Sequence, residues 1–374
     1  MTKLTPEEIS RYARHLAIPD FGIPAQEKLK AARVLVVGAG GLGSPLLLYL
    51  AAAGVGTIGI VDDDRVDLTN LQRQVLYSTK DIGQFKVELA HQKIIDLNPH
   101  IQVNLYPERL TRNNAERIIK NYDIVADGTD NFPTRYLVND ACVLLNKINV
   151  YASIFRFEGQ VSVFNYLNEQ GVRGPNYRDL FPEPPPPGLV PDCATGGVLG
   201  VLPGIIGSMQ ASEVIKVITG IGEPLAGRLF LFDAADFSSR ILKIKKQSSI
   251  TISELIDYEI FCGINEEPST DYAEIDSTSL YELQNSSSAY FHLIDVREPI
   301  EYAIDHLTGS QLIPLSDLAN RLDEIPENGK VILYCQSGQR SKRAILQILK
   351  HKKIDQLFNL TGGLTAFRKA YPKP

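Results

Sequence analysis

The residues best suited to chemistry in the first half of the sequence surround a glycine-rich loop. The pattern G-x-G-x-x-G at Gly38, Gly40 and Gly43 follows the apolar run Val34–Val37, and Asp62 stands about twenty residues further on. This spacing is the dinucleotide-binding fingerprint, in which a strand, a tight turn and a helix start present backbone N–H groups to phosphate. Taken alone, the fingerprint favours a nicotinamide dinucleotide.

Three further groups point to a triphosphate instead. Arg73 stands among amide donors in the segment DDDRVDLTNLQRQ, where paired hydrogen bonds can hold phosphate oxygens. Lys86 begins a predicted helix, whose free N–H groups would meet the same phosphates. Asp130 and Asn131 follow the predicted strand Tyr122–Asp127, at the sheet edge where ligands bind and a carboxylate can hold Mg²⁺. These groups predict ATP and magnesium.

Residues near the C-terminus suit sulfur chemistry. In the segment KVILYCQSGQRSKRA an apolar strand ends at Cys335, and a loop leads to Arg340 before a helix predicted to begin near Ser341. The N–H groups of such a loop, the helix N-terminus and the guanidinium all favour negative charge on the cysteine sulfur. We therefore predict that Cys335 reacts as a thiolate or carries a persulfide.

Alternating apolar and amphipathic segments supply the elements that would position these groups. The predicted strands are Arg33–Val37, Thr57–Asp62, Gln102–Tyr106, Tyr122–Asp127 and Ile148–Ala152. The predicted helices are residues 1–30, Leu42–Ala53, Lys86–Leu97, Arg112–Lys120, Thr134–Asn146 and the buried Pro203–Thr219. Strands that alternate with helices predict a parallel sheet covered on both faces. The later segments GQVSVFNY and GRLFLFDAADFSSRILKIKK alternate in polarity, which predicts antiparallel strands that complete the sheet.

A polar stretch near Asn265–Asp271 divides the chain into two predicted domains. We assign residues 1–262 to the nucleotide-binding domain, 263–271 to a linker and 272–374 to the second domain. About one hundred residues suffice for an independent α/β fold. The predicted fold class is α/β, with a Rossmann-like doubly wound sheet that is parallel with an antiparallel extension, and a small second α/β domain.

Composition and charge exclude several other classes. A net charge of −6 over 374 residues argues against broad nucleic-acid binding, which needs clustered basic residues. The uncharged window Val34–Val61 is interrupted by glycines and a proline, unlike a membrane span. The N-terminal residues are charged throughout, unlike a signal peptide, and four widely spaced cysteines do not form a disulfide framework. We expect a cytoplasmic protein that binds neither membrane nor nucleic acid.

Five segments together closely resemble the MoeB/ThiF adenylating enzymes, relatives of the ubiquitin-activating enzymes. These segments are RYARH, GAGGLGS, DDDRVDLTNLQRQ, DIGQFKVELA and DGTDNFPTRYLVNDAC, and the resemblance covers about residues 5–245. It implies an enzyme that uses ATP and Mg²⁺ to adenylate the C-terminal glycine of a small ubiquitin-like sulfur carrier. In such a reaction a carboxylate attacks the α-phosphate, and positioned cations offset the repulsion between the anions.

The same resemblance implies a role for each matching residue. Gly41 would approach the nucleotide with the other glycines of the loop, and Asp62 would hold the ribose hydroxyls. Contacts with the triphosphate are implied for Asn70, Arg73 and Lys86, with Mg²⁺ for Asp130, and with the adenosine side for Asn131. Arg14, in RYARH, is similar to an arginine that enters the partner subunit's site, which implies a homodimer.

The cysteines of the first domain separate by context. Cys193, in PDCATGGVLG, matches the mobile-loop cysteine of these enzymes, which is linked to a thioester or disulfide with the activated carrier, whereas Cys142 is expected to lie in the core. Many family members hold a structural zinc with two C-x-x-C pairs. This chain has Asn176 and Asp179 at the first place and only Cys262 at the second. One thiolate does not make a tetrahedral zinc site, so we predict no zinc and a region held by packing alone.

The second domain resembles a rhodanese over about residues 272–372, through LIDVREPIEYAIDHLTGSQLIP, the Cys335 loop and LTGGLTAFRKAYP. The resemblance implies that Cys335 carries sulfur and that Asp295 and Arg297 belong to the structural frame. Tyrosine phosphatases are the nearest alternative, but their loop places the arginine one residue farther from the cysteine. The spacing between Cys335 and Arg340 suits a smaller cavity.

Together the two resemblances predict adenylation of a sulfur carrier, followed by sulfur transfer from Cys335 to give a thiocarboxylate. The expected sulfur donor is a persulfide enzyme or thiosulfate, and the pathway is molybdopterin synthesis, thiamine synthesis or tRNA thiolation. Two alternatives remain open. One is an adenylating enzyme whose rhodanese domain only docks a sulfur donor. The other is an NAD(P)-dependent dehydrogenase, which would leave Arg73 and Lys86 without a function.

Overall fold

The computed structural model describes most of the chain as two compact units, Met1–Ile264 and Asn265–Pro374. The described residues are 3–185, 196–248, 250–263, 272–286 and 290–373. Cys193 therefore lies outside the described residues, and so does the predicted linker 263–271 apart from its first residue. In these ranges, no helix has both the length and the apolar character needed to cross a membrane.

The first unit is built on one eight-stranded sheet with the order β3-β2-β1-β4-β5-β6-β7-β8. Its strands are β1 Arg33–Val37, β2 Thr57–Val61, β3 Gln102–Tyr106, β4 Ile124–Asp127, β5 Ile148–Phe155, β6 Glu158–Phe164, β7 Arg228–Asp233 and β8 Ser239–Lys243. The pairs from β3 to β5 are parallel, and those from β5 to β8 are antiparallel. The predicted doubly wound sheet with its antiparallel extension is confirmed. Strand β5 is longer than predicted because its last residues pair with β6, where Phe155 lies opposite Glu158.

The helices of the first unit follow the predicted alternation, with shifted boundaries. They are α1 Pro6–Arg11, α2 Ala13–Leu16, α3 Gly22–Ala31, α4 Gly43–Ala53, α5 Lys86–Leu97, α6 Ala115–Ile119, α7 Phe132–Leu144, α8 Tyr177–Leu180, α9 Leu202–Thr219 and α10 Tyr258–Phe261. The N-terminal region forms three helices rather than one. Helix α7 begins two residues earlier than predicted because Asn131 caps it: its Oδ1 accepts the Thr134 N–H at 3.0 Å, and Pro133 occupies the first turn.

The second unit contains a five-stranded, fully parallel sheet with the order β11-β10-β12-β13-β9. Its strands are β9 Ala273–Ile275, β10 Phe291–Asp295, β11 Ser310–Leu312, β12 Lys330–Tyr334 and β13 Leu357–Leu360. Its helices are α11 Ser277–Asn285, α12 Pro299–Ile304, α13 Gln339–Leu349 and α14 Gly363–Ala370. Helix α13 begins at Gln339, not near Ser341, because Gly338 adopts a left-handed conformation (φ +89°) that turns the chain into the helix.

Hydrogen bonds close the segment around Asn176 and tie it to the chain at Gln247. Asp179 accepts the backbone N–H of Asn176 at 2.7 Å and its side-chain Nδ2–H at 2.9 Å. The other carboxylate oxygen of Asp179 accepts the Gln247 N–H at 2.6 Å. Asp179 and Asn176 are both buried, so the two bonds between them are shielded from water.

A second cluster holds α10 against α7 and α8. The carboxylate of Asp140 accepts two hydrogen bonds from the Arg178 guanidinium, at 2.9 and 2.7 Å, and one from the Tyr258 hydroxyl at 2.8 Å. Nearby Cys262 is buried, and burial raises the pKa of its thiol to about 11. The prediction that packing alone holds this region is therefore wrong: a buried ion pair and its hydrogen bonds take part.

Candidate active site

The nucleotide-site residues meet in a cleft of about 390 Å³ at the carboxyl ends of β1, β2 and β4. Strand order reverses between β1 and β4, which is where doubly wound sheets bind ligands. The cleft is lined by the predicted Gly38, Gly40, Gly41, Asp62, Asn70, Arg73, Lys86, Asp130 and Asn131. Gly43 stands just behind it, as the first residue of α4.

The glycine loop is tied to the acidic residue that follows β2. Gly38 has a left-handed backbone (φ +93°), and a side chain there would crowd the carbonyl oxygen of Gly128 at 3.2 Å. The carboxylate of Asp62 accepts the N–H of Ala39 at 2.7 Å and that of Asp64 at 2.9 Å. Burial raises the pKa of Asp62, although the charge of Lys86 opposes this. Asp62 is therefore fixed where a ribose on the glycine loop would meet it.

Lys86 is the buried cation of the cleft. Its side chain is only 5% exposed, and its Nζ lies 2.7 Å from a carboxylate oxygen of Asp64, which is 66% exposed. The backbone positions the ammonium as well, because the Lys86 N–H donates to the Asp64 carbonyl at 3.0 Å and its own carbonyl accepts from the Tyr77 hydroxyl at 3.3 Å. An anion can replace the exposed Asp64 at low cost.

Arg73 and Asn70 lie on the opposite wall. Arg73 donates from Nη1 to the Thr69 carbonyl at 3.0 Å, so the rest of its planar fork stays available to the cleft. A Cβ on Gly41 would lie 3.7 Å from Arg73 Cγ and 3.2 Å from Pro203 Cβ, which shows how closely this wall approaches the loop. Asn70 accepts the Asp67 N–H at 3.1 Å and so closes its short 3-10 turn.

The loop after β4 contributes carboxylate and amide groups. Asp130 is exposed and lines the cleft, and Asn131 uses its side-chain oxygen to cap α7. Beneath them Asp127 is fully buried. One of its carboxylate oxygens accepts from Thr129, while the other has no partner among the described residues. Burial raises the pKa of Asp127, with Thr129 and Arg135 opposing.

The cleft also contains two carboxylates, Asp63 and Asp64, that the sequence did not single out as metal ligands, and one buried amide. Carboxylate oxygens of Asp62, Asp63 and Asp64 lie within 4.8 Å of one another; the acidic run itself was the available signal. Gln74 also lines the cleft and is 4% exposed, yet its Oε1 has no partner within the described residues. Gln74 is one of the amide donors that surround Arg73 in the segment DDDRVDLTNLQRQ.

Two further predicted residues do not line this cleft: Arg14 lies elsewhere, and Cys193 falls outside the described residues. Arg14, on α2, is exposed and forms no hydrogen bond or ion pair with the residues that the structure describes. Cys193 belongs to the undescribed range 186–195. Cys142 is fully buried in the core as predicted, and burial raises the pKa of its thiol well above the usual range.

Cys335 directly follows β12, the middle strand of the second sheet, and is fully buried. Its Sγ accepts the N–H of Gly338 at 3.2 Å, and the Ser341 hydroxyl lies 3.6 Å away. The Gly338 N–H belongs to the turn that begins α13, so one loop amide and the start of the helix face the sulfur. The site can therefore stabilise negative charge on sulfur.

The two arginines around this loop are both paired. Arg297 and Asp295, both buried, form a fork with distances of 3.0 and 2.7 Å, and Nη1 of Arg297 also holds the Gln336 side chain at 3.1 Å. Arg340 forms a second fork, with its Nη1 and Nη2 at 2.6 and 2.7 Å from the two carboxylate oxygens of Glu301. The guanidinium of Arg340 thus stands beside the loop with its charge already balanced.

The family assignment follows from comparison with known sequences. A family model described as the ThiF family matches residues 12–251. The chain belongs to the ThiF family. A second model, described as the rhodanese-like domain, matches residues 277–370, so this ThiF-family chain also carries a rhodanese-like domain.

Two curated relatives match nearly the whole chain, and a third matches 70% of it. The "Probable adenylyltransferase/sulfurtransferase MoeZ" of Mycobacterium tuberculosis is 50% identical, with 98% of this chain and 94% of that protein covered. The "Adenylyltransferase and sulfurtransferase MOCS3" of Drosophila sechellia is 42% identical, with 98% and 84% covered. The "Sulfur carrier protein adenylyltransferase" of Thermus thermophilus is 52% identical, with 70% and 98% covered.

Solved structures agree on the fold of the first unit. The structure of PaaA aligns with a TM-score of 0.56 and 26% identity, covering 66% of this chain and 76% of PaaA. The structure of Escherichia coli MccB with ATP aligns with a TM-score of 0.56, covering 65% and 73%; at 22% identity it shows the fold alone.

The predicted enzyme activities, adenylyl transfer with ATP and sulfur transfer, are confirmed for this ThiF-family enzyme. Family membership selects adenylyl transfer over the dehydrogenase alternative.

Proposed function

We propose that this ThiF-family enzyme adenylates the C-terminal glycine of a small ubiquitin-like sulfur carrier and that Cys335 then supplies the sulfur of a thiocarboxylate. The observation that carries the proposal is that one chain holds two centres: a cleft containing Lys86 and Arg73, and a buried cysteine whose sulfur accepts a loop N–H. The relative named a sulfur carrier protein adenylyltransferase supports the substrate class. The adenylating domain comprises residues 1–262, the linker 263–271 and the sulfurtransferase domain 272–374.

In the nucleotide site, each side chain offers the group that its role needs. Asp62 accepts the ribose hydroxyls, and Gly38, Gly40, Gly41 and Gly43 let the backbone approach the phosphates. The triphosphate is held by Asn70, Arg73 and Lys86, and the adenosine side contacts Asn131. Lys86 gives up the exposed carboxylate of Asp64 for a phosphate oxygen, an exchange between two anions that keeps the buried ammonium paired throughout.

The cleft also fits a magnesium ion. Asp130 is exposed there, and the carboxylates of Asp62, Asp63 and Asp64 lie within reach of one another; oxygen ligands of this type are those that Mg²⁺ prefers. We assign Asp130 as the principal ligand. A bound Mg²⁺ would neutralise phosphate charge during attack by the carrier carboxylate.

The sulfur steps balance with two cysteines. The persulfide of Cys335 attacks the acyl carbon of the carrier adenylate, AMP leaves, and the carrier is joined to Cys335 through an acyl disulfide. A thiolate at Cys193 attacks the Cys335 sulfur, which releases the carrier thiocarboxylate and leaves a disulfide between the cysteines. An external thiol must then reduce that disulfide. Arg340 orders the loop that holds the Cys335 sulfur.

We further propose a homodimer in which Arg14 of each protomer reaches the other's cleft. Its exposure, without a partner among the described residues, leaves it free to do so. The reduced thiols that the mechanism needs favour a cytoplasmic enzyme, and its net charge of −6 disfavours nucleic acid. The protein is proposed to contain no zinc, because Asn176, Asp179 and Cys262 offer one thiolate. The thiocarboxylate would serve molybdopterin synthesis, thiamine synthesis or tRNA thiolation.

Carrier-dependent exchange of pyrophosphate into ATP tests the nucleotide half of the proposal. Lys86→Ala should lower the exchange rate by two or more orders of magnitude, since losing a charge-assisted phosphate contact costs on the order of 3 kcal/mol in the transition state. Lys93→Ala is the matched control, because Lys93 lies on the same helix α5, is 37% exposed and pairs only loosely with Asp81 at 3.7 Å. A folded Lys86→Ala enzyme that exchanges at the wild-type rate would refute the assignment.

A further inference from the structure

The positive charge of Arg340, beside the sulfur loop, is already balanced by the carboxylate of Glu301. Its two terminal nitrogens contact both oxygens of Glu301 at 2.6 and 2.7 Å, and the side chains are 14% and 29% exposed. Glu301 projects from α12, and its Oε2 also accepts the Glu298 N–H at 3.1 Å, so a capping interaction fixes the carboxylate from behind. A bidentate, half-buried ion pair of this kind is stronger than an exposed pair, whose hydrogen bonds water readily replaces.

Glu301 stays ionised at neutral pH. Burial pushes the pKa of its carboxyl upward, but the hydrogen bonds and charge of Arg340, the Glu298 N–H and the nearby charge of Arg297 outweigh it and hold the pKa below the ordinary value. The pair therefore contributes no net positive charge to the surroundings of Cys335.

Two other cations near the loop are paired as well. Arg297, which holds Gln336 of the loop, is paired with Asp295 at 2.7 Å. Lys342, on α13, is paired with Glu274 at 2.8 Å. Negative charge on the Cys335 sulfur is thus met by a neutral donor, the Gly338 N–H, while the cation of the loop itself, Arg340, is paired with Glu301.

This balance bears on which sulfur donor can react. With thiosulfate, the Cys335 thiolate attacks the sulfane sulfur of a dianion, the persulfide forms and sulfite leaves, so the approach brings three negative charges together. With a cysteine persulfide, the thiolate attacks a neutral S–H sulfur, the donor leaves as a thiolate and the proton stays on the new persulfide. Only the first reaction requires an uncompensated cation at the loop.

We propose that Glu301 is a specificity-determining residue, which by occupying Arg340 discriminates against free sulfur dianions such as thiosulfate and favours a persulfide carried by a cysteine. The inference rests on the proposed role of Cys335 in sulfur transfer and selects between the two donor classes that this role admits.

The test compares donors on the full-length enzyme. Glu301→Gln keeps an oxygen for the Glu298 N–H but releases Arg340, so kcat/KM for thiosulfate, with cyanide as the sulfur acceptor, should rise by about tenfold. Persulfide formation on Cys335 from an uncharged cysteine-persulfide peptide, followed by mass spectrometry, should change by less than about twofold because that donor needs no free cation.

Three variants complete the design. Glu324→Gln removes the same charge from another bidentate pair, with Arg321 at 2.6 Å, and should leave both donors unaffected. Adding Arg340→Gln to Glu301→Gln should erase the gain with thiosulfate. Glu301→Asp keeps the charge but shortens the side chain, which breaks the fork with Arg340. It should give an intermediate gain in kcat/KM for thiosulfate. If the Gln variant does not fold, this variant tests the role of Glu301.

Two results would overturn the inference. If the Glu301 variants load persulfide from the peptide but show an unchanged or lower kcat/KM for thiosulfate, the assignment of Glu301 fails while the role of Cys335 stands. If Cys335 takes sulfur from neither donor in any variant, both the inference and the proposed sulfur transfer fail.

Discussion

Lys86 and Arg340 are both cations paired with a carboxylate, but the two pairs differ in what they permit. The partner of Lys86, Asp64, is 66% exposed and bonds through one oxygen, so phosphate can displace it. The partner of Arg340, Glu301, is 29% exposed and bonds through both oxygens, so it competes strongly with any incoming anion. At the scale of single residues, exposure of the counter-ion separates the cation proposed to bind substrate from the one proposed to shape selectivity.

The ion pair between Arg297 and Asp295 differs from both, because it is fully buried and structural. Asp295→Asn should leave the buried Arg297 guanidinium without a counter-charge. It should lower the free energy of unfolding of the second unit by about 3 kcal/mol or more. Since a two-unit chain need not unfold in one step, amide hydrogen exchange of β10 and β12 is the suitable measurement. Unchanged protection would contradict the prediction, and Glu324→Gln, on an exposed pair, provides the control.

At the scale of elements, hydrophobic patterning predicted the parallel strands β1 to β4 to within two residues, since each is a short apolar run between turns. Boundaries failed where a local contact decided them. The start of α13 depends on the left-handed Gly338, and that of α7 depends on the Asn131 cap. The pairings of Lys86 with Asp64 and of Arg340 with Glu301 join residues distant in sequence, and no pattern along the chain reveals them.

Near Cys262, we expect hydrogen bonds rather than a metal to hold α10 in place. Tyr258→Phe removes the bond to the buried Asp140 carboxylate and should destabilise the first unit by about 2 kcal/mol, the size of a hydrogen bond to a charged group. Tyr49→Phe, at an exposed site on α4, is the control. Incubation with a chelator should leave the midpoint of thermal unfolding unchanged. A chelator-induced loss of stability, with one zinc per chain by elemental analysis, would contradict the claim.

At the scale of the whole molecule, one chain joins an activating unit to a sulfur-transfer unit. Each unit has its own sheet and core, and the reactive groups of each lie at the carboxyl edge of that sheet. Adenylation should therefore be independent of Cys335, because every residue assigned to ATP lies within the first unit. Formation of thiocarboxylate should require both units.

The most direct test of this account is the mass of the carrier after a single turnover with ATP and a cysteine-persulfide donor as the sole source of sulfur. Wild-type enzyme should yield carrier thiocarboxylate. Cys335→Ser should yield adenylate but no thiocarboxylate, and Cys193→Ser should load persulfide on Cys335 yet stop at transfer or release. A normal yield of thiocarboxylate from Cys335→Ser would contradict the account and leave the second unit as a docking site for the sulfur donor.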